Sequence, residues 1–247
     1  MTPMIEFWRV SKRFAGRLVL DELSLSVARG TTLALVGPSG AGKTTALRLI
    51  NRLVAPDQGT VLFQGQDVRG LDPVALRRRI GFVVQDGALF PHLTAAENVA
   101  LVPRLLGWPL ARQRARVEQL FALVGLPAAE FAARYPCELS GGQSQRVALA
   151  RAIAADSDVV LMDEPFSALD VLNRGLLEQQ FLAIKRQLGK TIVLVTHNLD
   201  EAFRLADEVA VLAEGRLQQL ATPEQLREQP ANALVGQLLR SLSEREA

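Results

Sequence analysis

The chain has 247 residues, 49% of them hydrophobic, which is ample for a sizeable core and allows one large domain or two small ones. Its 28 basic and 26 acidic residues leave a formal net charge of +2, which gives no reason to expect nucleic acid or an anionic membrane surface as the main partner. The single cysteine, Cys137, cannot form an internal disulfide, no His/Cys cluster has zinc spacing, and no uncharged apolar run reaches the ~18 residues needed to span a bilayer. The opening stretch from Met1 to Val10 carries Glu6 and Arg9 and lacks the apolar core of a signal peptide. Val99 to Leu110 is apolar but is interrupted by Pro103, Arg104 and Pro109, so a membrane role is expected to come through a partner.

In chain order, Ile5 to Val10 and Leu18 to Val27 read as strands rich in Val, Leu and aromatic residues. Thr31 to Val36 is a short apolar run, and Lys43 to Leu53 has helical spacing at Leu47, Ile50 and Leu53. Between them lies Gly37-Pro38-Ser39-Gly40-Ala41-Gly42-Lys43-Thr44, the G-x-x-x-x-G-K-[ST] pattern in the strand-to-helix setting it requires. Gly59 to Gln64 and Ile80 to Gln85 read as further strands, and Arg77-Arg78-Arg79 as a solvated helix face. From Pro91 to Ala155 the pattern turns helical, with a capping-box start at Thr94-Ala95-Ala96-Glu97, an Arg-rich amphipathic helix over Leu110 to Val124, and another helix over Gln143 to Ala155. Strands return at Asp158 to Met162 and Thr191 to Val195, with Asn173 to Leu188 helical between them. Two short helices are expected from Thr222 onward, the first opened by Thr222-Pro223-Glu224. Apolar strands alternating with helices imply a largely parallel, covered sheet. The expected fold is therefore α/β, with an antiparallel N-terminal β layer and an inserted helical subdomain near residues 88–157.

Three segments carry the chemistry. The glycines of the first let backbone N–H groups approach phosphate oxygens, and the helix that follows adds its positive end. Lys43 is placed to neutralise the β- and γ-phosphates of a nucleoside triphosphate, Thr44 to ligate Mg²⁺, and Thr45 beside it joins the phosphate-binding residues. A glycine-rich turn with a surface lysine is the bland alternative, and it leaves the Lys-Thr pair unexplained. In the second segment Asp163 ends an apolar strand and suits Mg²⁺, while the adjacent Glu164 suits polarisation of an attacking water. A helix N-cap or a solvated acidic pair is the alternative there. The third is Leu139-Ser140-Gly141-Gly142-Gln143, two glycines and a serine at a helix start. It makes an anion-binding surface of N–H groups, a role compatible with plain capping. Two phosphate-binding surfaces but one Lys-Thr pair suggest a symmetric dimer in which each Ser-Gly-Gly turn closes over the other subunit's ATP.

With these motifs the chain resembles the ATP-binding-cassette (ABC) ATPases over nearly its whole length. The resemblance implies a P-loop NTPase core over about 1–87 and 158–221, a helical signature subdomain over about 88–157, and a short tail over about 222–247. It implies that Gln85 reaches Mg²⁺ and the attacking water, that Ser167-Ala168-Leu169-Asp170 forms the D-loop, and that His197 contacts the γ-phosphate. Gln143 joins the signature residues, and Phe14 lies where the family stacks an aromatic on adenine; without the resemblance, Phe14 reads as a core residue. ATP and Mg²⁺ are the implied cofactors.

Within the family, Asn51 to Pro56, Leu71 to Gly81, Leu89 to Thr94 and Ala100 to Trp108 look like the osmoprotectant importers of the glycine betaine/choline type. That likeness implies a homodimer, membrane permease subunits, a periplasmic or extracellular substrate-binding protein, and a peripheral place on the cytoplasmic face of the inner or plasma membrane, with no nucleic acid. It also implies that the region from Leu89 to Trp108 receives a permease helix, although Phe90, Leu93 and Leu101 are equally readable as core. Some positions depart from the pattern: Asp86-Gly87-Ala88 follows Gln85, Asn198 follows His197 where aspartate is common, and Ala41 replaces a frequent cysteine. The paired regulatory (CBS) domains of several such proteins are not among these 247 residues. Trp8, Trp108 and Tyr135 are isolated in sequence, so an aromatic cage for a quaternary ammonium ligand is not expected here. The alternatives are the ATPase of another importer, such as an amino-acid system, and a non-transport cassette acting on nucleic acid. A scaffold without turnover is disfavoured by Glu164 and His197.

Overall fold

The computed structural model describes residues 2–85, 88–167 and 171–243. The chain forms two compact units, one holding the residues up to Arg77 together with those from Thr191 onward, the other running from Arg78 to Lys190.

The first unit opens with β1 (Ile5–Phe14) and β2 (Arg17–Val27), an antiparallel pair joined at Ala15-Gly16. Both loop residues have positive φ (46° and 81°), the type I′ geometry whose twist matches that of the strands. β1 runs four residues further than its alternation suggests, because a bulge at Arg9 (φ 47°) breaks the pattern after Trp8. Next come β3 (Thr32–Val36), buried at every residue, and α1 (Lys43–Ile50). The helix ends before Leu53: Arg52 turns left-handed (φ 53°), the N–H groups of Leu53 and Val54 both donate to the Arg48 carbonyl, and the Leu53 side chain is exposed. β4 (Gln58–Phe63) and β5 (Gln66–Asp67) complete an antiparallel sheet of order β2-β1-β4-β5. α2 (Pro73–Arg78) closes this stretch. Its Arg77 donates to the carbonyls of Asn51 and Arg52 (3.1 and 2.7 Å), so that residue is a tether as well as a surface charge.

In the second unit β6 (Ile80–Val83) leads to α3 (Ala95–Leu105), α4 (Leu110–Leu123), α5 (Ala128–Phe131) and α6 (Gly141–Ile153). β7 (Val159–Asp163) then pairs parallel with β6, Val83 opposite Met162, and α7 (Val171–Leu188) follows. Arg79 pairs with Asp158 at 2.9 Å where these strands begin. The α3 start is the expected capping box: Thr94 Oγ1 accepts from the Glu97 N–H, and the Glu97 carboxylate accepts from the Thr94 N–H. Phe121 and Leu120 of α4 are fully buried, and Phe166 meets Phe181 edge-on at 6.2 Å.

The chain returns to the first unit with β8 (Thr191–Val195), α8 (Leu199–Leu205), β9 (Glu208–Ala213) and β10 (Arg216–Ala221). β8 and β9 flank β3 in parallel, and β10 joins β9 antiparallel. The tail helices α9 (Pro223–Glu228) and α10 (Ala233–Ser243) bury Leu226, Val235 and Leu239 against Leu199, Ala202, Val209 and Val211. No helix among the described residues is long and apolar enough to cross a membrane.

Candidate nucleotide-binding site

In the first unit the loop Gly37–Gly42 leaves the end of β3 and opens α1. A Cβ on Gly37 (φ 146°) would lie 2.0 Å from the Leu212 carbonyl oxygen of β9, so only glycine passes there. A Cβ on Gly42 (φ 93°) would meet the Leu20 side chain at 2.5 Å and the Val19 carbonyl at 2.8 Å. Gly42 is also the N-cap of α1 and has no side chain to occupy the first N–H groups, which suits an anion. Lys43 is 8% exposed, and its ammonium donates to the carbonyls of Gly37 (2.7 Å) and Pro38 (2.9 Å). Ala41 is buried and its N–H donates to the Pro38 carbonyl, Ser39 and Gly40 are exposed at the tip, and Thr44 and Thr45 lie half-buried in the first turn of α1.

His197 is exposed just beyond β8, and the parallel pairing of β3 with β8 puts it on the same sheet edge as the phosphate-binding loop. Asn198 behind it caps α8, its Oδ1 accepting from the Glu201 N–H at 2.7 Å, so asparagine performs the capping that aspartate would. Phe14 ends β1 and is 43% exposed, which rules out the core reading. Lys12 stands 5.3 Å from the centre of its ring and is held by Asp57: Lys12 Nζ donates to Oδ1 (2.8 Å) and the Arg13 N–H to Oδ2 (2.6 Å). These contacts hold the Asp57 carboxyl below the usual carboxylate range, the Lys12 hydrogen bond foremost and the Arg13 N–H next.

In the second unit Gln85 and Asp163 follow adjacent parallel strands and leave by the same edge. Asp163 is nearly buried, whereas Gln85 is exposed. Glu164 has φ 47°, the left-handed region a glutamate avoids, and its carbonyl accepts from the N–H and hydroxyl of Ser167 (3.3 and 2.9 Å). Ser140 caps α6 in a reciprocal box: its Oγ accepts from the Gln143 N–H (3.3 Å), and Gln143 Oε1 accepts from the Ser140 N–H (2.8 Å). The box does not use the N–H groups of Gly141 and Gly142 at the helix tip. Asp170, with Ala168 and Leu169, lies outside the described residues, as do Asp86 and Gly87 after Gln85.

Among the described residues no three His, Cys, Asp or Glu side chains come together as an all-protein metal cage. The donors in hand, the Thr44 hydroxyl, the Asp163 carboxylate and the Gln85 amide oxygen, are hard oxygen ligands. Each is a donor of the kind Mg²⁺ takes.

One unit with a glycine-rich loop and a histidine at the ends of its parallel strands, and another with an acidic pair at a strand end and a capped Ser-Gly-Gly turn, are together the parts of an ATPase of the ABC class. Residues 20–167 match the ABC transporter family, and the chain belongs to it. It is similar to the osmoprotectant import ATP-binding protein OsmV of Salmonella typhimurium, at 47% identity over 238 residues, 94% of this chain and 62% of that protein. It is similar also to the glycine betaine uptake system ATP-binding protein YehX of Escherichia coli, at 47% over 234 residues, 95% of this chain and 76% of that protein. The chain thus spans about three-fifths of OsmV's length. Among solved structures, a dimeric ATP-binding cassette in a post-hydrolysis state bound to ADP and Pi superposes with a TM-score of 0.79 at 32% identity, covering 89% of this chain and 99% of that one.

Proposed function

We propose that the chain is the ATP-hydrolysing subunit of an importer for osmoprotectants of the quaternary ammonium type, such as glycine betaine or choline. The observation that carries this is the likeness, over 94 to 95% of the chain, to ATP-binding proteins named for osmoprotectant import and glycine betaine uptake. In this reading the core segments 1–87 and 158–221 hold the nucleotide, the segment 88–157 presents the signature turn, and 222–247 is an appended tail. Two copies pair head to tail on the cytoplasmic face of the membrane. Each binds permease subunits, which in turn receive solute from an external binding protein.

The residues divide the work as follows. Phe14 stacks on adenine. The N–H groups of the 37–45 loop and Lys43 hold the phosphates, and the partner copy's Ser140-Gly141-Gly142 turn closes over them together with Gln143 and Asp170. Glu164 accepts a hydrogen bond from the attacking water and orients it in line, while Gln85 and His197 meet the water and the γ-phosphate. Mg²⁺, held through Thr44, Asp163 and Gln85, supplies neutralisation of phosphate charge.

Two experiments test this. Purification from membranes with its permease, followed by uptake of labelled glycine betaine or choline into vesicles, tests the solute; a complex that moves neither overturns the substrate class. Mixing Lys43→Ala chains with Ser140→Arg chains tests the pairing. Dimers with one intact composite site should regain ATP-dependent closure, and crosslinking of Ser140 to the ATP of its own subunit would refute the head-to-tail arrangement.

A further inference from the structure

The stretch from Ala88 to Thr94, ahead of α3, is fastened from two sides. On one side Asn98 of α3 is wholly buried and commits its entire side-chain amide to the loop. Nδ2 donates to the carbonyls of Phe90, Leu93 and Thr94 (3.2, 3.1 and 3.0 Å), and Oδ1 accepts from the Phe90 N–H (2.9 Å). On the other side stands Arg151, near the far end of α6, the helix that begins with the Ser140 turn. Arg151 donates from Nη1 to the Ala88 carbonyl (3.0 Å), and its guanidinium carbon lies 5.7 Å from the centre of the Phe90 ring. Arg151, Ala88 and Phe90 border a cavity of roughly 400 Å³ with Val84 and Leu101, and Arg151 is half-buried there. Burial holds its pKa below the ordinary arginine value, but a guanidinium stays charged.

The two anchors differ in what they connect. Asn98 ties the loop to the helix that directly follows it. Arg151 ties it to the signature helix, 63 residues away in sequence, at a point three residues from Gln85. An α-helix is stiff along its axis, so a displacement at Ser140 reaches Arg151 with little loss. We propose that Arg151 is a positioning residue for ATP hydrolysis: it links the signature helix to the segment behind Gln85, so that movement of the Ser140 turn shifts the glutamine, and the reverse. The inference rests on the ATP-hydrolysing reading of the chain. Lysine cannot replace arginine here, because the planar fork both reaches the carbonyl and faces the ring.

The test uses the full chain with Arg151→Met and Arg151→Lys. Without nucleotide, amide hydrogen exchange over residues 88–93 should quicken by about tenfold or more in both variants, while α3 keeps its protection. With ATP, kcat should fall by about tenfold or more, with KM within about twofold of wild type, because the phosphate-binding loop is untouched. Unchanged exchange in the loop, or wild-type kcat in Arg151→Lys, overturns the proposal. Should Arg151→Met fail to fold, Arg151→Lys combined with Phe90→Leu decides: effects on loop exchange that simply add overturn the tie, and a double variant no faster than Arg151→Lys alone supports it. A wild-type chain that exchanges as expected but hydrolyses no ATP removes the reaction, and with it the positioning role.

Discussion

Lys43 folds back on Gly37: its ammonium lies 2.7 Å from the glycine's carbonyl oxygen, so the lysine of the phosphate-binding motif is bonded to the residue that begins it. The amine is nearly buried, and a second carbonyl, that of Pro38, stands 2.9 Å away. A compact ammonium with three donors suits this nook, whereas a broad planar fork does not. Lys43→Ala and Lys43→Arg are both expected to lose nucleotide affinity by about tenfold to a hundredfold, the worth of a hydrogen bond to a charged group. Titration with a fluorescent ATP analogue measures it. An arginine variant that binds like wild type would show that charge alone suffices.

Glu164, proposed above to orient the attacking water, has a left-handed backbone that costs about 1–2 kcal/mol. Glu164→Gln keeps the shape and removes the carboxylate, so turnover should fall on the order of 10²-fold or more with nearly normal ATP affinity. Glu164→Gly removes the backbone strain as well. It should exceed Glu164→Ala in stability by about 1 kcal/mol while being equally inactive, read from denaturant midpoints. Equal midpoints would show that the conformation stores no strain.

Gln145 of α6 is 3% exposed, and neither its amide nitrogen nor its amide oxygen has a hydrogen-bond partner among the described residues. Unpaired buried polar atoms cost about 1–3 kcal/mol. Gln145→Met, close in shape, should therefore raise the melting temperature by a few degrees, a gain of about 1 kcal/mol. A lowered melting temperature would show that the amide makes bonds through buried water.

Asp57 fastens the end of β1 that carries Phe14. Its folded pKa is depressed, so the stabilisation it gives is complete above the unfolded carboxylate value and is lost as pH falls through the lower folded value. Acid should thus loosen this hairpin end below the usual carboxylate range, seen as faster amide exchange at Arg13 and Phe14. Asp57→Asn should abolish that pH step and weaken ATP binding a few-fold. A pH step that survives the substitution would assign it to another group.

Phe90 is 44% exposed and Leu93 half-buried, so this loop offers an apolar surface beside its two anchors. Leu93→Glu should leave basal ATP hydrolysis intact while abolishing solute uptake by the assembled transporter. Normal uptake would exclude the loop from permease coupling, and loss of folding would make Leu93 a core residue.

The strand, loop and helix around Lys43 were legible because glycines punctuate them and the apolar spacing changes period on either side. Helix α1 was read three residues too long, since the periodicity carried on through Leu53 while Arg52 had already left the helical region. β9 and β10 went unread although Glu214-Gly215 between them is a hairpin turn with both φ angles positive, at 52° and 77°. β10, Arg-Leu-Gln-Gln-Leu-Ala, lacks the clean alternation that marks a half-buried strand. Asn98 left a fainter signal, a polar residue between buried Ala95 and Val99 on the core face of α3. Arg151 and Asp57 left none, because their partners are distant in sequence and only the folded chain brings them near. The arginine run at 77–79 lies at the surface, and its ion pair was hidden for the same reason: Arg79's partner is Asp158, 79 positions on.

Gly141 heads helix α6, yet among the described residues no atom lies within 4 Å of where a Cβ would stand. The subunit has room for alanine at that point and would gain helix propensity from it. Gly37 is different, because β9 itself forbids a side chain there. One glycine is thus demanded from within the fold and the other is not. In the proposed head-to-tail pair the open space at Gly141 is where the partner copy's phosphates would sit, so Gly141→Ala is expected to spare the fold of the single chain and to weaken ATP-dependent pairing.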